Sequence, residues 1–140
     1  MIPLRLVLDT NILVSAALKP GGLQRTVVLL ASTKPARWYV SEAILTEYRL
    51  VLARRELQIR NGLQQQLLQL VASRSHMVSP VRRLHVTPDP DDNKFLECAD
   101  RARAAYLVTG NLRHFPRFWK KTKMISSSDF LSLMAPHLLP

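Results

Sequence analysis

Short aliphatic runs alternate along this chain with stretches whose apolar residues recur every three or four positions, the pattern of strands interleaved with helices. Leu4 to Leu8 is a strand-like run that ends at Asp9. Thr10 or Asn11 can cap the next segment, a short predicted helix from Ile12 to Leu18 stopped by Lys19-Pro20-Gly21-Gly22. Leu23 to Ser32 reads as a second helix, apolar at Leu23, Val27, Leu30 and Ala31, and Arg37 to Val40 as a second strand. Ser41 caps a helix predicted over Glu42 to Ala53, with Glu42 in the first turn where the backbone dipole favours an anion. Further helical stretches fall around Arg55 to Arg60 and from Leu63 to Arg74. His76 to Val78 and Leu84 to Val86 are short apolar pieces, of which one can be a strand. Asp91 to Ala104 is predicted as a helix opening after Asp89-Pro90, and Tyr106 to Thr109 as a strand broken by Gly110. Lys123 to Ile125 is a last short strand, and Ser128 caps a closing helix, Asp129 to Ala135.

Strands alternating with helices predict an α/β fold with a central parallel sheet of four or five strands, flanked by helices on both faces. No repeat, low-complexity stretch or linker divides residues 1–140, so one domain is expected. In such sheets ligands bind at the carboxyl ends of the strands, near the point where strand order reverses. Asp9 and the Thr109-Gly110-Asn111 turn both stand at such ends.

Composition narrows the chemistry. With 47% apolar residues among 140, a folded core is expected. Cys98 is the single cysteine, which cannot form an internal disulfide and gives no sign of a cysteine-built metal site. His76, His85, His114 and His137 never take the i, i+4 spacing of a zinc-binding helix. The apolar start is broken by Arg5 and Asp9, too short for a signal-peptide core or a membrane span, so a soluble cytoplasmic protein is expected. The net charge of +10 draws polyanions. Against this background, half of the ten acids (Asp89, Asp91, Asp92, Glu97 and Asp100) lie within twelve residues.

Three acids on three elements are the candidates for chemistry. Asp9, between a strand and a helix, is either a helix cap or a ligand; Asn11 is either a cap or a group that orients a ligand. On a helical wheel Glu47 lies between Leu50 and Val51, beside Ala43 and Ile44, in the core-facing arc. A carboxylate there needs a cation or hydrogen bonds. Arg54 or Arg5 is the ordinary partner, and a metal ion is the functional one. Asp92 heads an inward stripe of Phe95, Leu96, Ala99, Ala102 and Arg103, and can be a ligand or only a first-turn helix acid. Asp89 and Asp91 read as turn and capping residues, Glu97 and Asp100 as solvated or salt-bridged. Hard divalent cations take such oxygen ligands and can activate water against a phosphate.

In order and spacing these segments resemble the PIN-domain family, over nearly the whole chain. Leu6-Val7-Leu8-Asp9-Thr10-Asn11 resembles its first strand and leading aspartate, and Ser41 to Glu47 the helix that supplies its glutamate. Asp89-Pro90-Asp91-Asp92-Asn93-Lys94-Phe95-Leu96-Glu97-Cys98-Ala99 resembles the segment of the third acid, and Leu107-Val108-Thr109-Gly110-Asn111 the turn that usually presents a fourth. The resemblance implies a Mg²⁺- or Mn²⁺-dependent ribonuclease in which Asp9, Glu47 and Asp92 hold the metal. Water then attacks the scissile phosphate in line, leaving a 3′-hydroxyl and a 5′-phosphate. It also implies an affinity with the VapC-like toxins of bacterial toxin–antitoxin pairs, hence an antitoxin partner and a homodimer. Asn111 departs from the pattern, because an amide adds no charge and cannot act as a base. Asp91 or a substrate phosphate could complete the site, with Asn11 and Thr109 in support.

Arg113, His114, Arg117, Lys120, Lys121 and Lys123 are interleaved with Phe115, Phe118 and Trp119, so this segment is the candidate RNA contact. The aromatics can stack on bases or cover the sheet edge. Arg54 with Arg55 and Arg82 with Arg83 are further cationic candidates, and Leu63, Leu67, Leu68, Leu70 and Val71 are either a dimer face or core. Two other readings stay open: a catalytically weak RNA-binding PIN-like module, motivated by Asn111, and a phosphatase using Asp9 as nucleophile. The second lacks a further carboxylate at Asn11.

Overall fold

The computed structural model describes residues 3–138, with side chains through residue 136. Among these residues the chain forms six strands and six α-helices. The strands are β1 (Leu4–Leu8), β2 (Ala36–Val40), β3 (His76–Met77), β4 (Tyr106–Val108), β5 (Phe118–Trp119) and β6 (Thr122–Ile125). The helices are α1 (Thr10–Leu18), α2 (Leu23–Ala31), α3 (Glu42–Leu52), α4 (Asn61–Arg74), α5 (Pro90–Ala102) and α6 (Ser127–Leu138). They build an α/β fold on a sheet of order β3-β2-β1-β4-β6-β5, parallel except for β5 against β6.

β1 is central because both of its faces are covered. Successive residues of a strand point to opposite sides, yet Leu6, Val7 and Leu8 are all wholly buried. α5 packs on β1, β2 and β4, and α2 packs on β2, α1 and α6. Trp38, Tyr48, Phe95 and Phe130 fill the core, each worth about 1.5–3 kcal/mol or more by removal of apolar area from water. Leu67 and Val71 of α4 are buried, and Leu63, Leu68 and Leu70 pack against the same core, so the apolar side of α4 is core.

The sheet has six strands where four or five were expected, because β5 escapes a pattern-based reading. It is two residues long, and its turn to β6 runs through Lys120, whose φ of 52° belongs to a conformation normally signalled by Gly or Asn. Of the two ambiguous apolar pieces, His76–Met77 forms β3, whereas Leu84 to Val86 is irregular. Arg55–Leu57 is a single 3-10 turn.

Helix starts differ from expectation where a side chain has another task. Ser41 caps α3 as predicted, its hydroxyl accepting the Ile44 N–H at 3.2 Å. Asp89 caps α5, accepting the Asp91 N–H at 2.9 Å, with Pro90 at the first helical position. The last helix begins at Ser127, and Ser126 rather than Ser128 receives the Asp129 N–H. Neither Thr10 nor Asn11 caps α1: the cap is Asp9, without a side-chain capping bond, and Thr10 opens the helix. Arg103, placed on the inward stripe of α5 by its spacing, is instead exposed, because the helix ends there in a left-handed residue (φ 53°).

One buried bond ties α3 to the central strand. The Tyr48 hydroxyl donates to the Leu8 carbonyl at 2.6 Å, and burial pushes its phenol well above the usual range. Tyr48→Phe removes this bond and leaves a polar group unpaired in the core. We expect a loss of about 1–2 kcal/mol, read as a lower midpoint at unchanged slope in urea unfolding.

Candidate active site

Strand order reverses between β1 and β4: the sheet extends through β2 and β3 on one side, and through β6 and then β5 on the other. Asp9 ends β1 and Thr109 follows β4, side by side at this point. The Asp9 N–H donates to the Val108 carbonyl at 2.9 Å, and the Thr109 hydroxyl donates to Asp9 Oδ2 at 2.7 Å. Both residues are buried. Desolvation pushes the Asp9 carboxyl above its ordinary range; the bonds from Thr109 and the Thr10 backbone oppose this, and the charges of Asp92 and Glu47 add to it. Asn11, predicted as a cap or an orienting group, accepts the Gly110 N–H at 3.2 Å and so joins the two strand ends. A Cβ on Gly110 would stand 3.3 Å from the Asn11 amide nitrogen, so a glycine suits this approach. Asn111 is exposed, and its N–H donates to the Thr109 hydroxyl at 2.9 Å.

Glu47 enters from α3. The buried side of that helix is Ile44, Tyr48 and Leu52, while Leu50 is 64% exposed, so Glu47 sits at the flank of the core face. Its cation is neither Arg54 nor Arg5; Arg5 donates to the Ala102 carbonyl at 3.1 Å. The partner is Lys94, whose ammonium lies 2.6 Å from Glu47 Oε1, and the Thr10 hydroxyl donates to Oε2. Asp92 enters from the first turn of α5, its side chain 14% exposed, 3.5 Å from His114 Nδ1. Its carboxyl is raised by burial and by the charges of Asp89, Glu47 and Asp91, against a lowering by His114. The α5 start is braced from behind: Asn93 accepts the Thr87 N–H at 2.8 Å and donates back to the Thr87 carbonyl. Asp91 is exposed and 3.7 Å from Lys94.

The sequence profile of a family described as PIN domain matches residues 5–113, more than half of the chain. The chain belongs to the PIN-domain family. An uncharacterized protein of Methanocaldococcus jannaschii is 28% identical over 113 residues, covering 79% of this chain and 72% of its own. In three dimensions this PIN domain is similar to a chain in the crystal structure of VapBC2 from Rickettsia felis bound to a DNA fragment from their promoter. The TM-score is 0.60 at 18% identity, covering 87% of this chain and 98% of that one.

The donor set of this PIN domain suits a hard divalent cation, being all oxygen, with two of its carboxylates raised above their ordinary range chiefly by burial and in part by neighbouring carboxylates. As the side chains stand, however, no three His, Cys, Asp or Glu residues among those described are close enough together to hold a metal ion. Lys94 takes up the Glu47 arm. Sequence reasoning missed Lys94 and gave Thr10 the wrong task. The signal for Lys94 was a lone lysine just after the acid-rich first turn of α5, three residues after Asp91 and two after Asp92.

The basic segment divides. Arg113, His114, Arg117 and Lys121 are exposed, whereas Lys120 pairs with Asp100 at 3.1 Å, which also takes Arg82 at 2.8 Å. Glu97 accepts the Leu84 N–H at 2.9 Å. Phe115 is buried and Trp119 partly so, but Phe118 is 55% exposed with the Lys123 ammonium 5.8 Å from its ring. Phe115 and Trp119 thus help to cover the sheet edge, while Phe118 stands open to solvent. Among the described residues no helix is long and apolar enough to cross a membrane.

The raised Asp9 carboxyl has a consequence for stability. A group whose pKa is higher folded than unfolded stabilises the fold below the unfolded value, and that contribution is lost as pH rises through the folded value. At neutral pH the Asp9 charge therefore costs stability. With EDTA present, we expect Asp9→Asn to be more stable than the parent at pH 7, with the gap closing as pH falls below the ordinary aspartate range. Urea unfolding across pH measures it.

Proposed function

We propose that this PIN domain, one unit across residues 1–140, is a metal-dependent endoribonuclease that hydrolyses RNA phosphodiester bonds, and that it acts as the toxin of a toxin–antitoxin pair. One observation carries the reading: the buried Asp9 ends β1 at the strand-order switch of a PIN fold, and beside the larger effect of burial the charges of Asp92 from α5 and Glu47 from α3 also raise its carboxyl. PIN domains are generally nucleases. Asp9, Glu47 and Asp92 would hold Mg²⁺ or Mn²⁺, which when bound supplies Lewis acidity toward a phosphoryl oxygen and acidifies water.

The remaining chemistry is assigned to the chain itself. Thr109 and the Thr10 backbone amide hold the Asp9 carboxylate, and the Asn11–Gly110 contact joins the two strand ends beside it. Asn111, with an exposed amide in place of a fourth acid, can donate to phosphate but cannot take a proton. Arg113, His114, Arg117 and Lys121 grip the backbone of the RNA, Lys120 does so only by leaving Asp100, and Phe118 offers a stacking face. The similarity in fold to the VapBC2 chain supports an antitoxin partner, and a cytoplasmic homodimer completes the proposal. A second reading, a catalytically weak RNA-binding module, draws support from Asn111 and from the engagement of Glu47 by Lys94.

The purified protein is expected to cut RNA with Mg²⁺ or Mn²⁺ and to stop with EDTA. Asp9→Asn and Asp92→Asn should each lower the cleavage rate by about a hundredfold or more, since even groups behind metal ligands are worth about 10–100-fold. Cleavage that survives EDTA overturns the metal-dependent reading. Salt-sensitive RNA binding with no products, and cleavage gained only in Asn111→Asp, would select the binding module.

A further inference from the structure

The acid cluster already contains a cation. Lys94 projects from the second turn of α5, four-fifths buried, with its ammonium 2.6 Å from Glu47 Oε1 and 3.7 Å from Asp91 Oδ1. Glu47 has no oxygen left over, because Thr10 donates to the other one. Glu47 is thereby sheltered without an unpaired charge. Among the described residues Asp9 and Asp92 have no lysine or arginine partner, and Asp92 pairs with His114 alone.

We propose that Lys94 is a built-in competitor for the divalent metal, an ammonium that occupies the Glu47 arm of the site and sets how tightly the ion can bind. This rests on the metal-dependent reading above. An ammonium and a dication cannot share the Glu47 carboxylate at little cost, because two positive charges a few ångströms apart in a sheltered site repel strongly. A metal therefore enters only as Lys94 swings away, and the side chain has a long flexible stem on which to do so. Lys94 is a positioning residue here, acting through Glu47.

Mn²⁺ binding to the full-length chain, without RNA, separates this role from a merely structural one. Lys94→Gln and Lys94→Met are both tested, with circular dichroism as the control for folding, so that one ill-folded variant does not decide the matter. Both should bind Mn²⁺ about tenfold or more tightly than the parent by calorimetry, whereas Lys94→Arg, which keeps the charge, should bind as weakly as the parent. A lysine that merely braces the site predicts the opposite sign. Unchanged or weaker Mn²⁺ binding in Lys94→Gln and Lys94→Met overturns the competitor role and leaves the nuclease reading standing. No Mn²⁺ binding in parent or variants overturns both.

Discussion

A carboxylate buried at the end of the central strand sets the conditions for everything around it. Asp9 cannot reach water freely, because β1 is hydrogen-bonded on both sides and covered on both faces. Its charge must be met by what the neighbouring elements bring. Thr109 brings a hydroxyl from β4, and Thr10 brings the first backbone amide of α1. Tyr48 fixes the distance of α3 by its grip on the Leu8 carbonyl, and with it the approach of Glu47 one residue earlier. The site is thus a property of the strand order: the same residues around a sheet without a reversal at β1 and β4 would not converge.

The charge distribution makes sense in this light. The chain has a surplus of ten positive charges, and outside the crevice Asp100 is held by both Arg82 and Lys120, its carboxyl lying below the usual range. Inside the crevice the cations are withheld. Among the described residues Asp9 receives only hydroxyl and amide dipoles, Asp92 faces only a histidine, and one lysine serves Glu47. Leaving carboxylates short of positive charge costs stability, and a site that spends stability in this way is typical of function rather than of architecture.

Much of this was legible in the chain. The aliphatic run ending at Asp9, the Ser41 cap, the Asp89-Pro90 helix start and the break at Gly110 each obey a local rule, so fold class and strand ends could be read directly. Asp9 and Asp92 could be named because they stand where a strand ends and a helix begins, and Glu47 because a carboxylate in the predicted core-facing arc of a helix needs a partner. What stayed hidden was settled by long-range packing. Lys94 and Glu47 are 47 positions apart, and nothing local says that they touch. Thr10 looked like a cap because its hydroxyl had no visible partner nearby. Leu50 looked like core because a wheel reports a periodicity and not which side a neighbour occupies. β5 was invisible because a two-residue strand carries no alternation to detect.

That small strand has a bearing on assembly. β5 is the outer rim of the sheet on its side, and an outer rim with free backbone groups invites pairing with another chain. Here the rim is only two residues long, runs counter to its neighbour, and is bracketed by Lys120, Lys121 and Lys123. Two such rims would repel one another before any ladder could form. The sheet therefore ends in a positively charged border that discourages its own continuation into a second copy, and leaves that border free for a polyanion.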